Sequence, residues 1–79
     1  MQKTIASQTY TQFLDCLRQT REKAGLTQDQ LAERLGETQS FISKCERGER
    51  RIDIVELREF CLAMDTTLEK FIHAFERML

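Results

Sequence analysis

Hydrophobic positions recur along this chain with the spacing of helices. From Tyr10 they fall at Phe13, Leu14, Leu17 and Ala24, an amphipathic stripe. Gly25 follows, in the position where helices commonly close through a left-handed residue. Thr27 and Gln30 then have the spacing of a capping box, and Leu26 and Leu31 that of a hydrophobic staple. These signals predict a second helix from about Gln28 to Leu35, ended by Gly36. Only Gly36 and Glu37 separate Leu35 from Thr38, a suitable N-cap for a third helix over about residues 39–47. Ile42 and Cys45 are its apolar face. Asp53 and Glu56 form a D-x-x-E box ahead of a fourth helix carrying Ile54, Leu57, Phe60, Cys61 and Met64. Thr66 and Glu69 repeat the device for a fifth, with Leu68, Phe71, Ile72, Phe75 and Leu79 on one stripe. No stretch alternates with period two for long enough to make a strand.

The expected fold class is therefore all-α, a five-helix domain over residues 9–79. Residues 1–8 are polar and uncapped and read as a flexible N-terminal arm. The short join after Leu35 forces helices two and three to cross steeply. Ala32 allows the close approach, and Gly36 supplies the positive φ that other residues adopt only at a steric cost.

Seventy-nine residues make one small domain. A chain of about 60 residues buries only ~60% of its unfolded surface, so a dimer interface, a metal or a disulfide would add needed stability. The cysteines do not supply it. Cys16, Cys45 and Cys61 are odd in number and far apart, which fits neither a disulfide framework nor a metal knuckle. Cys45 and Cys61 fall on apolar helix positions and read as small hydrophobes in a reducing cytoplasm. His73 is the single histidine, with no second ligand type beside it, so neither metal nor cofactor is expected. No apolar run approaches the ~20 residues of a membrane span, and the N-terminus has no apolar core of a secretory signal. No Ser/His/Asp or Cys/His set and no glycine-rich phosphate loop is present. An enzyme or a small-molecule substrate is not expected.

Net charge is −1, which does not announce a nucleic-acid partner. Its distribution says more. Residues 38–51 hold four basic and two acidic groups, whereas residues 52–79 hold three basic and six acidic. The positive excess sits on helix three and the loop after it.

The segment TQDQLAERLGETQSFISKCERGERR resembles the lambda-repressor-like (Cro-type, XRE) helix-turn-helix domain. Gln28, Leu31, Ala32, Leu35, Gly36, Ile42, Ser43, Glu46 and Gly48 stand at the family's spacing, with Arg21, Gly25 and Leu26 extending the match upstream. DIVELREFCLAMDTTLEKFI looks like the family's fourth and fifth helices. One departure is the join between them, where Ala63-Met64-Asp65 replaces a usual glycine and puts Asp65 in the left-handed position, which aspartate tolerates better than most residues.

The resemblance implies a sequence-specific double-stranded DNA-binding regulator, with helix three in the major groove and a homodimer as its working form. Gln39, Ser40, Ser43 and Lys44 are then the base-facing set, since amide, hydroxyl and ammonium groups match base edges; any solvated helix also carries such residues. Ser40 is open between base and phosphate. Phe41 has three readings: a thymine methyl or sugar, packing on a neighbouring helix, or a partner-protein surface. Gln28 and Thr38 at helix starts, with Arg47, Arg50 and Arg51 in the basic loop, are expected at phosphates. Arg21 and Glu46 are implied as a structural pair orienting helix three. Phe71, Phe75, Met78 and Leu79 read as core that also contributes a dimer seam. The rival reading is an antitoxin or adaptor whose main partner is a protein and whose DNA binding is autoregulatory.

Overall fold

The computed structural model describes residues 3–79, with side chains from residue 8 onward; residues 1 and 2 of the expected arm lie outside the described residues. Five helices follow one another: α1 (Lys3–Lys23), α2 (Gln28–Leu35), α3 (Gln39–Glu46), α4 (Ile54–Ala63) and α5 (Leu68–Met78). No strand occurs among the described residues. The first helix starts well before the stripe at Tyr10 and takes in residues 3–8, which the sequence led us to expect as an arm.

The expected caps of α2, α3 and α4 are present. Thr27 accepts from the Gln30 backbone N–H while the Gln30 side chain accepts from the Thr27 N–H. Thr38 accepts from Phe41 N. Asp53 and Glu56 exchange the same two bonds at α4. At α5 the cap is displaced by one residue. Thr67, not Thr66, accepts from the Lys70 N–H. The reason lies in the turn before it: Asp65 takes φ 61, and the Thr66 N–H donates to Cys61 O to close α4. Thr66 is consumed by the end of one helix, and the next residue begins the other.

All five helices meet in one core. Leu17, Leu31, Ile42, Cys45, Cys61 and Phe71 are its most enclosed side chains. Phe13 joins α1 to α5, its ring edge-on to Phe71 at 5.8 Å and to Phe75 at 5.9 Å. Ala32, 1% exposed, is the small residue at the α2–α3 crossing. Gly36 has φ 68, as the turn requires. The three thiols are free and buried, and burial pushes the Cys61 thiol up to about 11. Arg34 ties the end of α2 to the α4–α5 turn through Ala63 O at 2.8 Å and Asp65 at 3.1 Å.

The assignment of Phe71 to a dimer seam is corrected by its burial. The ring is 2% exposed and packed within the monomer, so no partner can reach it. Phe75 and Met78 are half-buried against the same core, and Leu79 is exposed.

Candidate nucleic-acid interface

The α2–α3 pair, packed together across a short join, leaves one face of α3 outside the core. Ile42 and Cys45 point inward, both with no exposed surface. Gln39, Ser40 and Lys44 are exposed on the opposite side, with Ser43 half-buried among them. The residues singled out for bases are thus brought together, with the exception of Phe41. Its ring turns toward α4, 6.3 Å from Phe60 and beneath the Arg50 guanidinium at 4.8 Å. Of its three readings, the geometry matches packing on a neighbouring helix.

Behind this face lies a continuous chain of charged and amide groups. Arg21 reaches from α1 and donates to both carboxylate oxygens of Glu46, at 2.6 Å and 3.0 Å, and to Leu26 O at 2.9 Å. Both side chains are nearly enclosed, 11% and 6% exposed. The Glu46 hydrogen bond pushes the Arg21 pKa further upward, outweighing the opposing cost of burial. Glu46 also accepts from Gln28 Nε2 at 3.0 Å, and Gln28 Oε1 accepts from Gln39 Nε2 at 2.6 Å. The buried ion pair therefore fixes Gln28, and Gln28 fixes Gln39. The second N–H and the carbonyl of the exposed Gln39 amide have no hydrogen-bond partner among the described residues.

The sequence pointed to the Arg21–Glu46 pair only through resemblance, and it missed the extension to Gln28 and Gln39. Spacing within one helix carries no signal for it, because its links join residues 11, 18 and 25 positions apart.

The basic loop divides into committed and uncommitted cations. Arg47 donates to Glu49 at 2.8 Å and to the Ser43 hydroxyl. Arg50 forms a two-pronged pair with Glu56 at 2.8 Å and 3.1 Å, which holds that carboxylate below its ordinary pKa. Arg51 instead lies over the Tyr10 ring at 4.5 Å. Among the described residues neither Arg51 nor Lys44 has a carboxylate partner. Gly48, φ 79, bends the chain away from α3 where a Cβ would stand 2.9 Å from Leu14 Cδ1. Gln28 and Thr38 begin their helices beside this face, where unpaired backbone N–H groups suit an anion.

A crossed helix pair with an exposed polar second helix, its first residue held by a buried ion pair, defines a helix-turn-helix protein. A helix-turn-helix family model matches residues 17–71. An XRE-family-like protein from Pseudomonas syringae pv. tomato str. DC3000 is 43% identical, with 96% of this chain and 93% of that one covered, at a TM-score of 0.86. Comparison with curated proteins gives no match. The chain belongs to the Cro/C1-type (XRE) helix-turn-helix family, a family of DNA-binding regulators. Among the described residues no helix is long and apolar enough to cross a membrane.

Proposed function

We propose that the protein is a sequence-specific double-stranded DNA-binding transcriptional regulator acting as a repressor, with α3 in the major groove and two copies on a two-fold site. The observation that carries this reading is the Arg21–Glu46–Gln28–Gln39 chain. A glutamine restrained from behind loses little freedom when it pairs with adenine, and glutamine pairs with adenine through two bonds. An ordinary solvated helix has no reason to restrain its first surface residue through three others. Lys44, exposed and uncommitted, completes the base-facing set with Ser40 and Ser43. Thr38, Arg51 and the start of α2 at Gln28 supply phosphate contacts. Arg47 and Arg50 join them when their Glu49 and Glu56 partners are exchanged for phosphate. DNA-bound copies associate along the exposed Ile72–Leu79 flank of α5, next to half-buried Phe75 and Met78.

Selection of binding sites from a random duplex library tests this. Gln39→Ala or Lys44→Ala, each taking one side chain away from a base edge, should cost ~1–3 kcal/mol at one position and relax the preference there. The change should appear in both half-sites, whose centres lie about 34–36 Å apart in a two-fold complex. Arg51→Ala should weaken every sequence alike and leave the preference intact. An unchanged preference in Gln39→Ala and Lys44→Ala would exclude α3 as the reading helix.

A further inference from the structure

Helices α1 and α5 do not close against each other along their whole length. Phe13 fills the space between them at one end. Nearer the end of α1, the facing α5 residue is Ala74, which has no bulk to fill it. Two adjoining hollows of ≈ 380 and ≈ 310 Å³ result, and both are lined by Thr20, Lys23 and Ala74. Their floor is apolar, from Cys16, Met64, Phe71 and Met78. Their rim is basic, from Lys23, Lys70 and Arg77, with His73 beside them. Asp65 is the one carboxylate in the lining, and it is already paired with Arg34 at 3.1 Å. Among the described residues Lys23, Lys70 and Arg77 have no ion-pair partner. No residue of α2, α3 or the loop after α3 lines the groove.

We propose that this groove docks an acidic amphipathic helix of a partner protein, its apolar side chains in the hollows and its carboxylates on Lys23, Lys70 and Arg77. Three features select that occupant. The groove has an apolar floor, and its rim carries three cations unpaired among the described residues against one carboxylate already paired with Arg34, so the complementary surface is apolar with acidic flanks. Lys70 and Arg77 are two helical turns apart, ~10 Å at 1.5 Å per residue, and a small single-headed anion would meet only one of them. A second copy offers the nearest acidic helix, since Glu69 and Glu76 flank exposed Ile72 on α5. Those residues lie away from the groove's side of α5, so a second copy docking there would use different patches on the two copies, a heterologous contact that gives a ring or an open chain rather than a self-matching two-fold pair. The groove is separate from α3, which leaves α3 free while the partner is bound; only Met78 borders both the groove and the Ile72–Leu79 flank. Docking there does not depend on DNA binding.

The test is a nitrogen-15 amide-shift titration of the full chain with a capped Leu/Glu helical peptide of about 14 residues, ~21 Å long, at low salt. Its twin with Gln at every Glu is the control. Shifts are expected at Thr20, Ala24, Ala74 and their neighbours. Lys70→Glu/Arg77→Glu, or the Gln twin, should lower affinity about tenfold or more. Ala74→Leu, which fills the hollows while keeping helix propensity, should weaken binding without loss of helical circular dichroism. Absence of peptide shifts would overturn the proposal, as would binding undiminished in the charge-reversed variant. A sedimentation experiment in which that variant alone abolishes open-ended self-association, with no peptide competition, would instead assign the groove to a second copy.

Discussion

At the scale of single residues, Glu46 has the most to do. Its carboxylate accepts both prongs of Arg21 and one N–H of Gln28, and it is almost fully enclosed. A buried pair is weak evidence of net stability, but removing one partner strands the other charge. Glu46→Ala should therefore destabilise the domain by about 3 kcal/mol. For a chain of this size each kcal/mol moves the melting temperature by ~4–8 °C, so the loss is easily seen by thermal circular dichroism. Replacing both partners by Arg21→Met and Glu46→Leu should recover most of it, because no charge is then left buried. Equal melting of wild type and Glu46→Ala would show that water already solvates the pair. The two melts also separate stability from recognition. The double variant regains its fold but not the support behind Gln28 and Gln39, so its site preference should stay relaxed.

At the scale of elements, the helices were legible because their signals are local. Capping boxes at Thr27 and Asp53, the turn at Gly36 and the left-handed Asp65 each involve residues within a few positions. What sequence patterns left open depends on contacts between elements. Phe41 lies at the edge of α3, and only the approach of Phe60 and Arg50 shows which way its ring turns. Phe71 and Leu79 share one stripe, yet Phe13 covers the first and not the second. The shift of the α5 cap to Thr67 follows from how α4 ends, which no capping box records. Gly48 shows the same contrast in a testable form. Gly36 and Gly48 both have positive φ, but a Cβ at Gly36 meets nothing within 4 Å, whereas one at Gly48 collides with Leu14. Gly36→Ala should cost only the left-handed penalty, ~1–2 kcal/mol. Gly48→Ala should cost somewhat more, since the end of the Leu14 side chain must also swing aside, whereas Tyr10 at 3.7 Å stays in ordinary contact. Chemical denaturation of the two variants checks the order, and a Gly48→Ala no less stable than Gly36→Ala would show that Leu14 moves freely. Asp53→Ala removes a cap and should cost ~1 kcal/mol by the same measurement.

At the scale of the whole molecule, a net charge of −1 must coexist with an anionic ligand. Local commitment of charge resolves this. Arg47 and Arg50 are paired internally, whereas Lys44 and Arg51 are not. Each phosphate neutralised contributes about −0.9 to the log–log slope of affinity against salt, so Arg51→Ala should lower that slope by about one unit per subunit. Arg50→Ala should lower it less, because Arg50 is already charge-paired with Glu56 and reaches a phosphate only by giving up that pair. A flat salt response of the wild type on any duplex would remove the DNA-binding reading. The dimer is the remaining whole-molecule question. Ile72 and Leu79 are 39% and 59% exposed on one flank of α5, as Ile54, Val55 and Leu62 are exposed on α4, so exposure alone does not identify the seam and the α5 flank has to be tested directly. If that flank joins two copies, Leu79→Glu should weaken self-association and operator binding together, because a lone subunit on one half-site has no second subunit to hold it there. Phe71→Glu is the wrong probe: Phe71 is core, and its loss would unfold the monomer rather than part a dimer. Sedimentation equilibrium of wild type and Leu79→Glu, alongside titration of a full operator and a half-site, distinguishes the cases. Weaker full-operator binding with unchanged half-site binding is the expected result. Equal loss on both duplexes would mean that Leu79 serves the fold of one subunit, and the two-fold complex would have to be joined elsewhere.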